Sequence, residues 1–216
     1  MKPMLNLSYE TWSKVWVTSD THFLHENIIK YCDRPFKDKE EMTEALITTW
    51  NEQVGDDDLV IHLGDVTFSK DYDVLSLLNG KKILVLGNHD PNPKALGEYF
   101  SEGTYDYLTI RRGKRDFVLS HYPIESWDGK YWGTAHLHGH SHGLMDNSGL
   151  LRFDMGVDCW DYKLVDLDVF SGIIKEKSKE ISNQPSQPSQ KPARDTEFQK
   201  LYERALREEV EEGKKT

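Results

Sequence analysis

The sequence predicts an α/β protein of two β-sheets packed face to face with helices outside. Three observations predict it. The first half alternates β-type runs with stretches of helical spacing. The second half, after residue 103, is mostly β-type. Elements ordered this way pack most economically as layers around one core. Finally, five β-type runs end in turns that carry Asp, Asn or His, and α/β sheets bind ligands just past the carboxyl ends of their strands.

Taken in order, Val15–Ser19 reads as a strand and Asp20-Thr21-His22 follows it. A short helix is expected over Glu26–Tyr31, closed by Asp33-Arg34-Pro35. Asp38 suits a helix N-cap, with Glu41 three residues on. Met42, Leu46, Thr49, Trp50 and Val54 then recur at helical spacing. Leu59–Leu63 is a second strand ending in Gly64-Asp65. Asp71–Leu78 is a short helix closed by Asn79-Gly80. Lys81–Leu86 is a third strand and runs into Gly87-Asn88-His89-Asp90. Pro93–Phe100 is again helical. Tyr105–Ile110 and Asp116–Leu119 form a hairpin around Gly113, and His121 ends it. Thr134–His138 alternates at period two and meets Gly139-His140-Ser141-His142. Leu150–Val157 and Leu164–Phe170 supply the last strands.

The composition shifts at residue 175. Residues 1–175 form one domain, and 176–194, rich in Asn, Gln, Pro and Ser, read as a flexible linker. Residues 195–216 read as an amphipathic helix whose apolar stripe needs the core, a partner or a second copy.

With 216 residues and 37% hydrophobic content, the chain can bury a sizeable core. No apolar run is long enough to span a membrane, and the first residues lack a secretory apolar stretch. Cys32 and Cys159 match neither a disulfide framework nor a metal motif. Two buried, reduced thiols and a cytoplasmic location are the expectation. The net charge is −10, and residues 1–175 carry all of it, with 18 basic and 28 acidic side chains. Such acidity disfavours duplex nucleic acid as a partner, although a bound divalent ion reverses the sign locally.

All nine histidines fall between residues 22 and 142. Asp20 and His22, Asp65, Asn88, His121, and His140 and His142 each follow a β-type run. Imidazole with carboxylate oxygen suits Mn, Fe or Zn. Seven ligands are too many for one tetrahedral site and suit two ions sharing a carboxylate, for which Asp65 is the natural bridge.

Asp20-x-His22, Gly64-Asp65, Gly87-Asn88-His89-Asp90, His121 and Gly139-His140-x-His142 together resemble the motif series of the calcineurin-like metallophosphoesterases. The resemblance covers residues 15 to about 170. Ser19–Ile29 with Asp33-Arg34-Pro35-Phe36 further resembles a small single-domain bacterial and phage subgroup. The resemblance implies a four-layer αββα sandwich of two mixed sheets. It implies two divalent transition-metal ions, Mn foremost, with Fe, Zn, Ni or Co as alternatives. Asp20, His22 and His142 would hold the first ion, Asn88, His121 and His140 the second, and Asp65 both. A hydroxide bridging the ions would attack a phosphate mono- or diester. His89 would assist the leaving oxygen, and Asp90 would orient His89. A small nucleotide-type substrate or a nucleic-acid end is favoured, because no insertion supplies a cap or an extended groove. The alternative is a non-catalytic scaffold on the same fold. It is disfavoured because all seven ligands and His89 are kept.

Other residues carry two readings each. Arg34 could grip a phosphate or simply sit at a helix C-terminus. His25, close to the first motif, could face substrate. His62, His136 and His138 read better as satisfied interior histidines than as ligands. The basic tip Arg111–Arg115 reads better as a solvated turn than as a nucleic-acid contact. Trp127, Tyr131 and Trp132 could wall the pocket or stack on a base, or only pack.

Overall fold

The computed structural model describes residues 4–69, 72–90 and 92–183. Ten strands and four α-helices occur among them, in the order β1 (Met4–Asn6), β2 (Val15–Thr18), α1 (Glu26–Tyr31), α2 (Lys39–Gln53), β3 (Leu59–His62), β4 (Lys81–Val85), α3 (Pro93–Leu96), β5 (Thr104–Tyr105), β6 (Leu108–Arg112), β7 (Arg115–Leu119), β8 (Ala135–His138), β9 (Arg152–Asp154), β10 (Val165–Asp166) and α4 (Leu167–Asn183). They build two mixed five-stranded sheets flanked by helices, ordered β10-β2-β3-β4-β5 and β1-β6-β7-β8-β9. This is the α/β sandwich that the sequence predicts.

The period of two in each strand assigns its faces. Val15, Val17, Leu59, Ile61, Ile83 and Val85 of the first sheet join Leu108, Ile110, Phe117, Leu119, Ala135 and Leu137 of the second in one core cluster. The alternate residues Trp16, Val60 and Leu84 pack in another cluster with Met42, Leu46 and Trp50 of α2. Burial on both faces explains why β2, β3 and β4 read as continuous apolar runs. Helix α2 starts where expected, because the Asp38 carboxylate accepts the Glu41 amide at 2.9 Å.

Four expectations need correction. Tyr105–Ile110 is not one strand: β5 ends at Tyr105 in the first sheet, and β6 begins at Leu108 in the second. Leu164–Phe170 is strand only at Val165–Asp166. The Asp166 carboxylate accepts the amides of Asp168 and Val169 at 2.9 and 3.2 Å and so opens a helix. Leu167, Phe170 and Ile174 then bury one helical stripe. Helix α4 continues through Asn183, so residues 176–183 are helical rather than linker. Cys159 is exposed and Cys32 half-buried, and both are free thiols. Residues 184–194 of the expected linker and the expected helix at 195–216 lie outside the described residues.

Candidate metal centre

Parallel pairing makes strands end together. β2, β3 and β4 pair in parallel in one sheet, and β7 and β8 in the other. The loops that leave these five ends carry all seven expected ligands. Beyond the strands, bonds between loops continue the pairing: Asp20 N–H to the Gly64 carbonyl at 3.0 Å, His22 N–H to that of Asp65 at 3.1 Å, and Gly139 N–H to that of His121 at 2.9 Å. Two glycines allow this approach. A Cβ on Gly87 would collide with the backbone nitrogen and carboxylate of Asp65, and one on Gly139 with Ser19 and Asp20.

The ligand loops also bend sharply. Asp20, His22, Asp65, His140 and His142 have φ of 55°, 49°, 57°, 68° and 45°, in the left-handed region that L-residues avoid. Among the described residues, five of the nine non-glycine residues with positive φ are therefore expected ligands. Strain of this kind persists where the surroundings impose it, which is typical of functional sites.

The side chains converge as two groups. Asp20, His22 and His142 offer ligand atoms within 4.8 Å of one another, and so do Asp65, His121 and His140. Asp65 stands between them, its Oδ2 lying 3.6 Å from His22 Nε2 and 3.6 Å from His121 Nε2. Asn88 Oδ1 lies 3.0 Å from His121 Nε2. His121 Nδ1 lies 2.8 Å from the Leu63 carbonyl, so that nitrogen carries the proton. In the neutral ring, Nε2 then faces Asn88 Oδ1 acceptor to acceptor, an arrangement that a cation resolves. His142 repeats the device: Nδ1 donates to Asp158 Oδ2 at 2.7 Å, which leaves Nε2 for the group around Asp20. Both follow the rule that a partner on one ring nitrogen aims the other at a metal. Buried His22 has no hydrogen-bond partner on either nitrogen. An orphaned buried imidazole beside two carboxylates fits a metal site.

Without a metal, charge here is strained. Burial pushes the Asp20 carboxyl up to about 6. Burial, then the neighbouring Arg34 charge, holds His22 far below the usual imidazole range. His22 is thus neutral, the form that binds metal. Burial opposes charge on His142, but the hydrogen bonds to Asp158 and Cys32 and the nearby Asp20 carboxylate together outweigh it and raise it to about 10.

His89 is exposed at the mouth of the site, and its ring lies 5.8 Å from that of His22 and 5.5 Å from that of Phe68. Asp90 does not hold that ring, which corrects the expected pairing. Its carboxylate accepts three backbone N–H groups, those of Asp65 and Gly87 at 2.8 Å and Val66 at 3.0 Å. Asp65 returns the bond by accepting His89 N–H at 2.8 Å. Asp90 thus fixes the loop that carries Asp65.

Arg34 is also reassigned. Its side chain is fully buried, pairs with both oxygens of Asp158 at 2.8 Å and donates to the carbonyls of Asp20 and Thr21. It has no face free for a phosphate. It braces the first ligand loop and the carboxylate behind His142.

His25 lines a cavity of about 450 Å³ over the ligands, together with Ile28, Tyr31, Phe68, His89 and Leu144. His62, His136 and His138 are satisfied interior histidines, as expected, with partners on both nitrogens. Arg112 of the basic tip is buried against Asp168, and Arg111 pairs with Asp116. Trp127 packs on His136 and donates to the Thr134 carbonyl. The sequence reading missed Asp158, Phe68 and Tyr122, whose ring packs on His121 and His140. Asp158 was within reach, because it follows the expected Leu150–Val157 strand and makes a sixth strand end with a ligand-type side chain.

The arrangement matches known proteins. Residues 13–180 match the model of the family described as calcineurin-like phosphoesterase. An uncharacterised protein of Methanocaldococcus jannaschii is 37% identical over 179 residues, covering 78% of this chain and 94% of the relative. The gene 66 protein of Mycobacterium phage L5 is 29% identical over 203 residues, covering 78% of this chain and 97% of the phage protein. A crystal structure of a protein of unknown function from Aquifex aeolicus superposes with a TM-score of 0.62 at 28% identity, covering 74% of this chain and 98% of that one. Fold, motif order and family match agree, and the chain belongs to the calcineurin-like phosphoesterase family.

Proposed function

We propose that the protein is a dinuclear, metal-dependent hydrolase of phosphate mono- or diesters, with small nucleotide-type molecules or nucleic-acid ends as favoured substrates. The observation that carries this reading is the position of Asp65 Oδ2, 3.6 Å from an imidazole of each ligand group. Two divalent ions, Mn foremost, would be held by Asp20, His22 and His142 and by Asn88, His121 and His140, with Asp65 common to both. Such ions supply Lewis acidity for in-line displacement at phosphorus.

The chain's own residues supply the rest. Asp90, through three backbone N–H groups, holds the Asp65 loop in place. Asp158 and the Leu63 carbonyl fix two imidazoles in their ligating tautomers. His89 stands off the ligand groups, placed to give a proton to the leaving oxygen or to stabilise its charge. The acidic surface and the paired arginines of the hairpin tip weigh against duplex nucleic acid. No helix among the described residues is long and apolar enough to cross a membrane. The amphipathic segment at 195–216 would serve contact with a partner or a second copy.

Metal analysis joined to a hydrolysis screen tests the proposal. About two ions per chain and turnover of esters are expected. Metal-replete protein inert on monoesters, diesters and cyclic nucleotides would favour the scaffold instead. His89→Ala should keep both ions and lose more rate on alkyl esters than on nitrophenyl esters. Equal losses on both would assign His89 to charge stabilisation.

A further inference from the structure

We infer that the cavity over the ligands selects phosphoesters whose leaving group carries a flat aromatic ring of nucleobase type, held against Phe68. The inference rests on the phosphoesterase reading for which group leaves. The wall is apolar where solvent would favour polar groups. Tyr31, Phe68 and Leu144 are 75%, 54% and 92% exposed, yet all three line one cavity. Exposed apolar side chains gathered in one place mark binding surfaces, whereas scattered ones do not.

Phe68 is the best placed of the three. Its ring stacks on His25 with centroids 4.0 Å apart and planes 9° from parallel. His25 is itself only 9% exposed, and its Nδ1 is buried without a partner. The phenyl ring therefore has a rigid backing. The His89 ring lies 5.5 Å away, tilted 59° to the phenyl plane. If His89 serves the leaving oxygen, the group attached to that oxygen meets Phe68, while the phosphoryl group stays with the ligands. Asn27 lines the same cavity and offers a donor and an acceptor to the edge of a heterocycle. A sugar or glycerol leaving group would leave this wall wet. A ring would cover it, since aromatic stacking holds bases with little regard to sequence.

A matched pair of esters tests this. Adenosine 5′-monophosphate and ribose 5-phosphate release the same kind of primary alkoxide and differ in the base. The same comparison is run with a dinucleotide and its counterpart lacking the leaving-side base. Wild-type protein should favour the base-bearing member about tenfold or more in kcat/KM, within the range for one stacked base. Phe68→Ala should bring that ratio close to one, and Phe68→Trp should retain it. A ratio near one in the wild type, an unchanged ratio in Phe68→Ala, or hexyl phosphate outrunning the nucleotide would each overturn the inference. Adenosine binding to metal-free protein gives a second readout, expected in wild type and lost in Phe68→Ala. Binding without hydrolysis of any ester would uphold the ring pocket and remove the phosphoesterase reading. Hydrolysis with no base preference would do the reverse.

Discussion

The histidines inside the strands and those just past the strand ends are the same residue under two regimes. His62, His136 and His138 lie within β3 and β8 with both nitrogens occupied. In His62, Nδ1 accepts the Gly64 amide at 3.1 Å and Nε2 faces Thr21 Oγ1 at 3.0 Å. Because the Thr21 hydroxyl donates to the Val66 carbonyl, Nε2 must carry the proton. Past the strand ends, His121 and His142 have one nitrogen anchored by protein and the other aimed at carboxylates. His22 has neither anchored. A buried histidine with two protein partners is structure, and one with an idle nitrogen beside carboxylates is a candidate ligand. Residues 136, 138, 140 and 142 share one parity, but β8 stops at His138 and the chain turns at Gly139, which separates the two regimes.

The change with the largest expected effect strikes the proposed bridge. Asp65→Asn removes the carboxylate that lies 3.6 Å from an imidazole of each group and should drop the metal content below one ion per chain. Activity should fall by about three orders of magnitude or more, the scale on which charge stabilisation acts in such sites. Metal analysis of the purified variant decides it. Retention of two ions would mean that the groups are independent and that Asp65 belongs to one of them.

Next is Arg34. As a buried brace, Arg34→Ala leaves Asp158 without its cation and should cost about 3–5 kcal/mol of stability, as breaking a buried pair does. Urea unfolding measures it. A variant of normal stability whose KM alone rises would restore the phosphate contact. Asp158→Asn should be milder. It keeps an acceptor for His142 but loses the charge, and should weaken metal affinity roughly 10- to 100-fold, as loss of a carboxylate behind a ligand does. A metal titration reads the effect, which should fall on one of the two ions. Equal weakening of both ions would contradict the division into two groups.

Much of this was legible because it depends on local rules. Apolar runs of four or five residues followed by ligand-type turns gave β2, β3, β4, β7 and β8 and every expected ligand. What escaped depends on distant partners. Asp90 looks like a partner for the neighbouring imidazole, but three backbone amides, two of them from residues 65 and 66, claim it first. Arg34 looks free in its loop until Asp158, 124 residues later, takes one edge of its guanidinium and the Asp20 and Thr21 carbonyls take the rest. β10 and α4 were merged because Val165–Phe170 is apolar enough for either, and only the Asp166 cap separates them. Phe68 carries no motif, and its role comes from stacking on His25.

The smallest effect tests the interior regime alone. Burial lowers His136 to about 4, against hydrogen bonds that work the other way. Its partners are the Val118 carbonyl and the Ile124 amide, not a candidate ligand. An unfolded histidine titrates near 6.5. Between about pH 6.5 and 4, the unfolded chain takes up a proton at this position and the folded protein does not. The stability contributed here is full above pH 6.5 and is lost as pH falls through 4. Carboxylates add their own acid dependence, so the test is a difference. Urea unfolding of wild type and His136→Gln is compared from pH 7 to pH 5. Glutamine keeps a donor and an acceptor but does not titrate. The wild type should lose about 1–2 kcal/mol more than the variant over that range. Parallel pH curves would mean that His136 charges as easily in the folded protein as in the unfolded chain. Burial would then not hold it neutral, and the line between interior and strand-end histidines would have to be drawn elsewhere.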